Sequence, residues 1–217
     1  PEDFTKYRAA VFWAFPASIS SPHIWALFVK KPKVSIDVRV SDTARKSDRA
    51  IIVRLGTDVY LAIGVIKVLI EEGLVEGRVR HFEELANYVR GFSLDYLSKV
   101  SGVGIDDIRW LAEFYHEHKP LTLIGFALGR SQNGGDAIGM ISLIPALVGL
   151  ERGYYYSNSL GWGIDFDYLR GLHMARSSRV IPMADFGDYI ERGEVDVVYA
   201  WNENPVVTLP GGDKLME

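Results

Sequence analysis

Residues 50–72 read AIIVRLGTDVYLAIGVIKVLIEE, and this stretch decides the predicted fold. Ala50–Arg54 is a short apolar run with β-branched residues, which is typical of a buried strand. Val59–Glu72 is apolar on nearly all sides, as expected of a buried helix. In the turn between them, Thr57 or Asp58 can cap the helix, because a short oxygen side chain accepts hydrogen bonds from its free N–H groups. The stretch therefore predicts a strand–turn–helix unit.

Further short apolar runs alternate with helical patterns along the chain. The other predicted strands are Ala9–Phe15, Lys33–Val38, Leu121–Gly125 and Val195–Ala200. The other predicted helical regions are Phe82–Val100, Ile105–Glu117, Asp136–Val148 and Asp185–Arg192. The prolines after the first strand predict a loop there. This alternation predicts an α/β fold, a doubly wound, mainly parallel Rossmann-like sheet with helices on both faces.

The pattern changes near residue 150, which predicts two domains. Residues 1–150 form the predicted nucleotide-binding Rossmann-like domain. Residues 151–180 are rich in Tyr, Gly and Arg and show no clean period. Irregular stretches of that length are usually functional or part of an interface. We therefore assign 151–217 to an irregular excursion and the start of an adjoining α/β domain.

Composition excludes several classes of function. The chain has no cysteine, so it offers neither disulfides nor thiolate ligands for zinc or iron–sulfur clusters. A formal net charge of −4 argues against nucleic acid as a partner. The apolar run 59–70 is only about 12 residues long against the roughly 20 that a bilayer needs, so direct membrane insertion is not expected. No signal peptide is visible, which favours a cytoplasmic location. Histidine spacing predicts no metal site, and no catalytic nucleophile is recognised.

Parallel sheets bind ligands beyond the carboxyl ends of their strands, which directs attention to the loops there. The loop Gly125–Gly135 follows a predicted strand and opens a helix, as phosphate-binding loops do. It lacks the GxGxxG dinucleotide fingerprint. Gly135 and Asp136 stand where a P-loop has Lys and Ser or Thr, which excludes ATP or GTP hydrolysis. A purely structural turn remains the alternative reading.

Two carboxylates at predicted strand ends are further candidates for nucleotide contacts. Asp37 could accept hydrogen bonds from a nucleotide's hydroxyl or amine groups, or it could pair with Arg39 and order the turn. Arg39 begins a basic stretch that could lie near a bound diphosphate or form a solvated loop. Asp58 could cap its helix, or its carboxylate could pair with the N1–H and amino edge of guanine.

These stretches, in this order and spacing, resemble the molybdopterin (bis-guanine-dinucleotide) oxidoreductase family, which includes formate dehydrogenases, nitrate reductases and dimethyl sulfoxide reductases. The resemblance spans roughly residues 9–210. The matching stretches are Ile36-Asp37-Val38-Arg39, Thr43-Ala44, Arg54-Leu55-Gly56-Thr57-Asp58, Ser101-Gly102-Val103, Gly125 to Gly134, and Asn204-Pro205 with Pro210.

The resemblance implies that these loops hold the guanosine ends of two pyranopterin cofactors, in the form of molybdopterin guanine dinucleotide. Asp37 would hold the guanine and ribose of one nucleotide, together with Gly56, Thr57 and Asp58. Asn204 would start a second nucleotide site in the neighbouring domain. Phe126 and Arg130 would face the pterin. The loop contacting the first nucleotide would consist of Phe15, Pro16, Ala17, Ser18 and Ile19.

The resemblance leads to one main hypothesis and two alternatives. In the main hypothesis the chain is a fragment of a molybdenum or tungsten bis-pterin oxidoreductase catalytic subunit, with no activity expected alone. Its partners would be the iron–sulfur module and C-terminal barrel of that subunit, or other redox subunits. The sequence reads Ala14-Phe15-Pro16 where the family favours Gly-x-Asn, which favours instead a cofactor-free structural module of a redox complex. An unrelated Rossmann-like nucleotide binder is the third option.

Overall fold

The chain divides into two compact units, Pro1–Trp162 and Gly163–Glu217. The computed structural model describes residues 3–156, 163–169, 171–174 and 179–216. The predicted irregular stretch 151–180 therefore lies in part outside the described residues. The predicted domain boundary after residue 150 stays a prediction.

The first unit is built on a five-stranded sheet in which every neighbouring pair is parallel. The strand order is β3-β2-β1-β4-β5, so the chain winds one way from β1 to β3 and then the other way through β4 to β5. This arrangement confirms the predicted α/β fold. The strands are β1 Ala10–Trp13, β2 Lys33–Asp37, β3 Arg49–Ile52, β4 Leu121–Ile124 and β5 Tyr154–Tyr156.

Helices connect the strands and cover both faces of the sheet. Those of the first unit are α1 Ala17–Ser20, α2 Pro22–Phe28, α3 Asp42–Lys46, α4 Asp58–Glu71, α5 Phe82–Arg90, α6 Leu94–Ser101, α7 Ile105–His118 and α8 Gly134–Leu147. Those of the second unit are α9 Phe166–Leu169, α10 Phe186–Glu191 and α11 Pro205–Thr208. No helix among the described residues is long and apolar enough to cross a membrane.

Alternate residues of β1 lie in two separate apolar cores, one on each face of the sheet. Val11 and Trp13 belong to the larger core, which also contains buried side chains of α4, α6, α7 and α8. Ala10 and Phe12 belong to the smaller core, which includes Phe28 of α2. Successive side chains of a strand point to opposite faces, so the continuous apolar run of β1 follows from burial on both sides.

The chain after β1 is helical where the sequence predicted a loop. Pro22 is the first residue of α2, a position that suits proline because its ring fixes a helical φ and no N–H partner is needed there. Ile24 and Phe28, four residues apart, are the buried residues of this helix. Pro22 therefore starts a helix instead of breaking one.

The expected helix cap by Thr57 is not made. Thr57 is the residue before α4, but its hydroxyl donates to the carbonyl oxygen of Arg54 at 2.6 Å and so closes the preceding turn. Asp58 is the first residue of α4, and its carboxylate accepts a hydrogen bond from a side chain of β1. The side chains of Thr57 and Asp58 thus make hydrogen bonds that helix-capping preferences do not predict.

In the second unit, the predicted strand Val195–Ala200 is wrong. The structure gives these residues no strand, and no β-strand occurs within the described range 179–216. A strand needs a neighbour to pair with its backbone, and this part of the chain supplies none. Tyr199 and Trp201 are accordingly 82% and 77% exposed. The apolar pattern is typical of a strand, but the described residues 179–216 supply no strand to pair with it.

We expect two glycine substitutions to change stability in opposite directions. A Cβ atom at Gly125 would lie 1.7 Å from the carbonyl oxygen of Ala14, so Gly125→Ala should lower the free energy of unfolding by at least about 2 kcal/mol. A Cβ atom at Gly139, inside α8, meets nothing within 4 Å. Gly139→Ala should therefore raise stability by about 0.5–1 kcal/mol through helix propensity. Urea unfolding measures both, and equal effects would contradict the close approach at Gly125.

Candidate functional site

A cleft of about 640 Å³ lies beyond the carboxyl ends of the strands in the first unit. Its lining residues come from the loops that follow β1, β2, β3 and β4, together with α2 and β5. The strand order reverses between β1 and β4, and such reversals separate the flanking loops and open a crevice. A volume of this size falls within the range of sites for small molecules and cofactors.

The centre of the cleft depends on a close backbone approach between β1 and β4. The N–H of Gly125 donates to the carbonyl oxygen of Trp13 at 2.9 Å, which continues the parallel ladder by one residue. Ala14 then turns with φ +48°, a left-handed conformation that favours glycine. The family resemblance puts glycine at this position, and the backbone here supplies the physical reason.

The turn after β3 is supported by the glycine-rich loop after β4. Gly56 has φ +76°, which a residue with a side chain adopts only under strain. Its carbonyl oxygen accepts a hydrogen bond from Nδ2 of Asn133 at 3.1 Å. The Asn-Gly of the glycine-rich loop therefore supports the backbone of a neighbouring loop that lines the cleft.

Asp58 is a buried carboxylate at the wall of the cleft. It is 5% exposed, and its Oδ1 accepts from Nε1–H of Trp13 at 2.8 Å. Burial is the largest influence on this group and raises its pKa above the ordinary value of 3.8. The hydrogen bond from Trp13 and one from the backbone N–H of Asp58 itself lower the pKa, and the charge of Asp37 adds to the rise. Asp58 is thus a buried carboxylate whose charged form is favoured by the N–H of Trp13 and disfavoured by burial.

The cleft also contains groups of opposite charge at the end of β2. Asp37 and Arg39 both line it, and Oδ1 of Asp37 accepts from the N–H of Val38 at 2.8 Å. His23, from α2, adds a ring N–H donor to the wall. A ligand that fits these groups would carry hydrogen-bond donors in one part and negative charge in another.

The loop after β1 is tied to α3 by a small polar cluster. The hydroxyl of Ser18 donates to Oδ2 of Asp42 at 2.7 Å, and its N–H donates to Oγ1 of Thr43 at 3.1 Å. The pKa of Asp42 is lowered, first by Lys46 and then by Ser18. Thr43 is buried, so the Thr-Ala stretch seen in the sequence has a structural role in holding two cleft loops together.

The structure brings seven of the thirteen predicted site residues to the lining of the cleft: Phe15, Pro16, Asp37, Arg39, Gly56, Asp58 and Phe126. Five more are in the first unit but outside the described lining: Ala17, Ser18, Ile19, Thr57 and Arg130. Asn204 is in the second unit, as the N-cap of α11. The cofactor contacts assigned to all thirteen stay predictions.

Sequence reasoning missed lining residues that come from the segment of α1 and α2 and from β5. Ser20, Ser21 and His23 were overlooked because the segment was interpreted as a loop. Tyr155 was overlooked because β5 has only three residues within an aperiodic stretch. Pro22 before an apolar pair four residues apart, and three consecutive tyrosines with high β propensity, were the available signals.

Phe126 gives the cleft an exposed aromatic face. It lies in the loop after β4, with its ring centroid 5.5 Å from that of Tyr156 in a T-shaped arrangement. Leu55 and Ile24 add apolar surface to the lining. No group of three or more His, Cys, Asp or Glu that could hold a metal ion occurs among the residues the structure describes. The cleft is therefore suited to binding an amphiphilic ligand.

Comparison with known proteins relates the chain to much longer enzymes. No protein-family model matches it. It is 26% identical over 236 residues to the probable oxidoreductase YoaE of Bacillus subtilis, covering all of this chain and 35% of that protein. It is 27% identical to formate dehydrogenase H of Escherichia coli, over 52% of this chain and 17% of that protein. The chain thus spans about a third or less of the length of these relatives.

A solved structure shares the fold. Acetylene hydratase from Pelobacter acetylenicus superimposes with a TM-score of 0.60 and 23% identity, covering 67% of this chain and 22% of that one. The similar proteins are enzymes of the molybdopterin oxidoreductase family, which confirms the resemblance drawn from the sequence. Their partial coverage is consistent with a fragment.

We expect Asp58→Asn to change how stability depends on pH. Because the folded-state pKa of Asp58 is raised, its favourable contribution is fully present below about pH 3.8 and is lost as pH rises through the folded value. Asparagine keeps an acceptor for Trp13 but does not ionise. The stability of the variant relative to the wild type should therefore increase as pH rises from about 3.8. Urea unfolding at several pH values measures it, and a difference independent of pH would contradict the assignment.

Proposed function

We propose that the cleft binds the guanosine diphosphate part of a molybdopterin guanine dinucleotide cofactor. The chain would be part of the catalytic subunit of a molybdenum or tungsten bis-pterin oxidoreductase. One observation carries the proposal: four separate stretches chosen from sequence each contribute lining to the same cleft, at the reversal of strand order. Such convergence is expected of a nucleotide site in this class of fold.

The groups of the cleft match the parts of a guanosine diphosphate in kind. The carboxylate of Asp58 can accept from the N1–H and amino group of guanine, which lie side by side on one edge of the base. Asp37 can accept from ribose hydroxyls. Arg39 can donate two parallel hydrogen bonds to diphosphate oxygens, and a ring N–H of His23 can donate another. Each ligand part thus has a partner of complementary charge or hydrogen-bonding type.

The chain's residues would bind and orient the cofactor, while the chemistry would come from the metal on the pterin. The exposed ring of Phe126 offers an apolar surface at the cleft, where the pterin side is expected. The metal-binding side chain and the second cofactor-binding domain would belong to the rest of a longer subunit. Those other parts of the subunit would determine the reaction and its substrate.

A cofactor-free structural module is the second candidate, and the loop after β1 favours it. Phe15 is only 9% exposed and belongs to the smaller core, with its ring stacked 6.4 Å from that of Phe12. Pro16 has no N–H to donate. This loop therefore offers a ligand fewer polar groups than Gly-x-Asn would. In this alternative the cleft keeps its shape but binds no nucleotide.

Calorimetric titration of the chain with GDP, and with ADP for comparison, tests the proposal. A half-site should bind in the millimolar range, about 4 kcal/mol, so concentrations must be high. We expect GDP to bind more tightly than ADP, and Asp58→Asn to remove that preference, because an amide cannot accept both guanine donors. Inosine diphosphate, which lacks the amino group, should bind with intermediate affinity.

Asp106→Asn is the matched control, because Asp106 is also a carboxylate in the first turn of a fourteen-residue helix but is exposed and outside the cleft lining. It should leave GDP binding unchanged. Equal binding of GDP and ADP would overturn the guanine assignment. No binding of either nucleotide by the folded chain would favour the structural module.

A further inference from the structure

Trp13 reaches the cleft only through a hydrogen bond to Asp58. The side chain is fully buried at the end of β1, within the larger core. Its single polar atom, Nε1, donates to Oδ1 of Asp58 at 2.8 Å. Trp13 is absent from the lining of the cleft, whereas Asp58 is part of it. The indole therefore lies in the core and contacts the carboxylate of Asp58, which lines the cleft.

This hydrogen bond joins two elements that are not neighbours in the sheet. β1 is central, β2 separates it from β3, and Asp58 begins the helix that follows β3. The indole ring is held by the surrounding core, so its N–H has a fixed direction. A short carboxylate side chain at a helix start has several rotamers available, some of which bond to its own backbone. A fixed buried donor selects among them.

We propose that Trp13 is a positioning residue that sets the base specificity of the cleft, by holding the Asp58 carboxylate in the orientation that accepts from guanine. The proposal rests on the proposed function and adds to it the residue that orients the base-binding group. Each carboxylate oxygen has two acceptor sites, so Oδ1 keeps one after accepting from Trp13. Under the proposal, the two parallel donors of guanine pair with this remaining site and with Oδ2.

Orientation matters because guanine and adenine differ in the pattern of donors on this edge. Guanine offers two adjacent donors, N1–H and the amino group, whereas adenine offers an acceptor at N1. A carboxylate with both oxygens held toward the base strongly favours guanine. With adenine, one of the charged oxygens would be left without a hydrogen-bond donor in a buried site. A carboxylate free to rotate meets either base with one oxygen, and the preference falls.

Trp13→Phe tests the proposal, because it removes the N–H and keeps an aromatic ring in the core. We expect the dissociation constant for GDP to rise about tenfold at neutral pH, and that for ADP to change by less than about twofold. Trp110→Phe is the matched control: Trp110 is half-buried, stacks on Phe114 and Arg49, and is absent from the cleft lining. It should change neither constant.

The pH profile separates positioning from simple core filling. The hydrogen bond from Trp13 lowers the pKa of Asp58 while burial and Asp37 raise it, so Trp13→Phe should raise it further. GDP binding, which needs the carboxylate, should then be lost on acidification at a higher pH in Trp13→Phe than in the wild type. His23 and Arg39 also line the cleft and are unchanged in both proteins, so their contribution cancels in this comparison.

A second measurement needs no substitution at Trp13, in case Trp13→Phe fails to fold. The indole Nε1–H resonance of Trp13 should shift with the ionisation of Asp58, lose that titration in Asp58→Asn, and move when GDP is added. If the chemical shift of this resonance changes neither with pH nor on saturation with GDP, the positioning role is overturned.

The outcomes distinguish this proposal from the one on which it rests. GDP selectivity in the wild type that persists in folded Trp13→Phe, with an unchanged pH profile, would overturn the role of Trp13 and leave the proposed function standing. Failure of the folded wild type to bind GDP would overturn the proposed function and the positioning role with it. Selectivity lost in Trp13→Phe and retained in Trp110→Phe would support both.

Discussion

The close approach of Gly125 to the backbone of Ala14 is the constraint on which the first unit depends. It allows β1 and β4 to run side by side to their last residues and then lets their loops diverge. Because β1 is central, its pairing with β4 joins the two halves of the sheet, and both apolar cores use its side chains. The cleft is a geometric result of that pairing.

The sequence predicted best those elements whose apolar pattern is long or strongly periodic. The helix beginning at Asp58 and the strand ending at Trp13 were recognised because burial leaves a continuous signal in composition. The segment 17–28 and strand β5 were missed because each is short, and because their structure comes from packing on neighbours. Val195–Ala200 shows the converse: a strand-like pattern without a pairing partner forms no strand.

The sequence predicts which loops form the candidate site, but it predicts less well which of their side chains point into it. Parallel topology brings strand ends together, so Asp37, Gly56 and Asp58 could be grouped from their positions after strands. The direction in which a loop side chain points depends on hydrogen bonds made within the folded chain. Thr57 donates to its own turn, and Ser18 bonds to α3, for that reason. The bond between Trp13 and Asp58 spans forty-five positions and has no sequence signal.

The strand order also sets the timing of assembly. While a ribosome makes this chain, β2 and β3 become available soon after β1, and those three can pair in one direction. The other edge of β1 has no partner until α1 to α7 have all been made and β4 follows them. A central apolar strand therefore spends part of synthesis as an exposed edge, the condition under which strands pair with the wrong chain. The helices made during that interval, above all α4, can cover the apolar face of β1 before its second edge is paired.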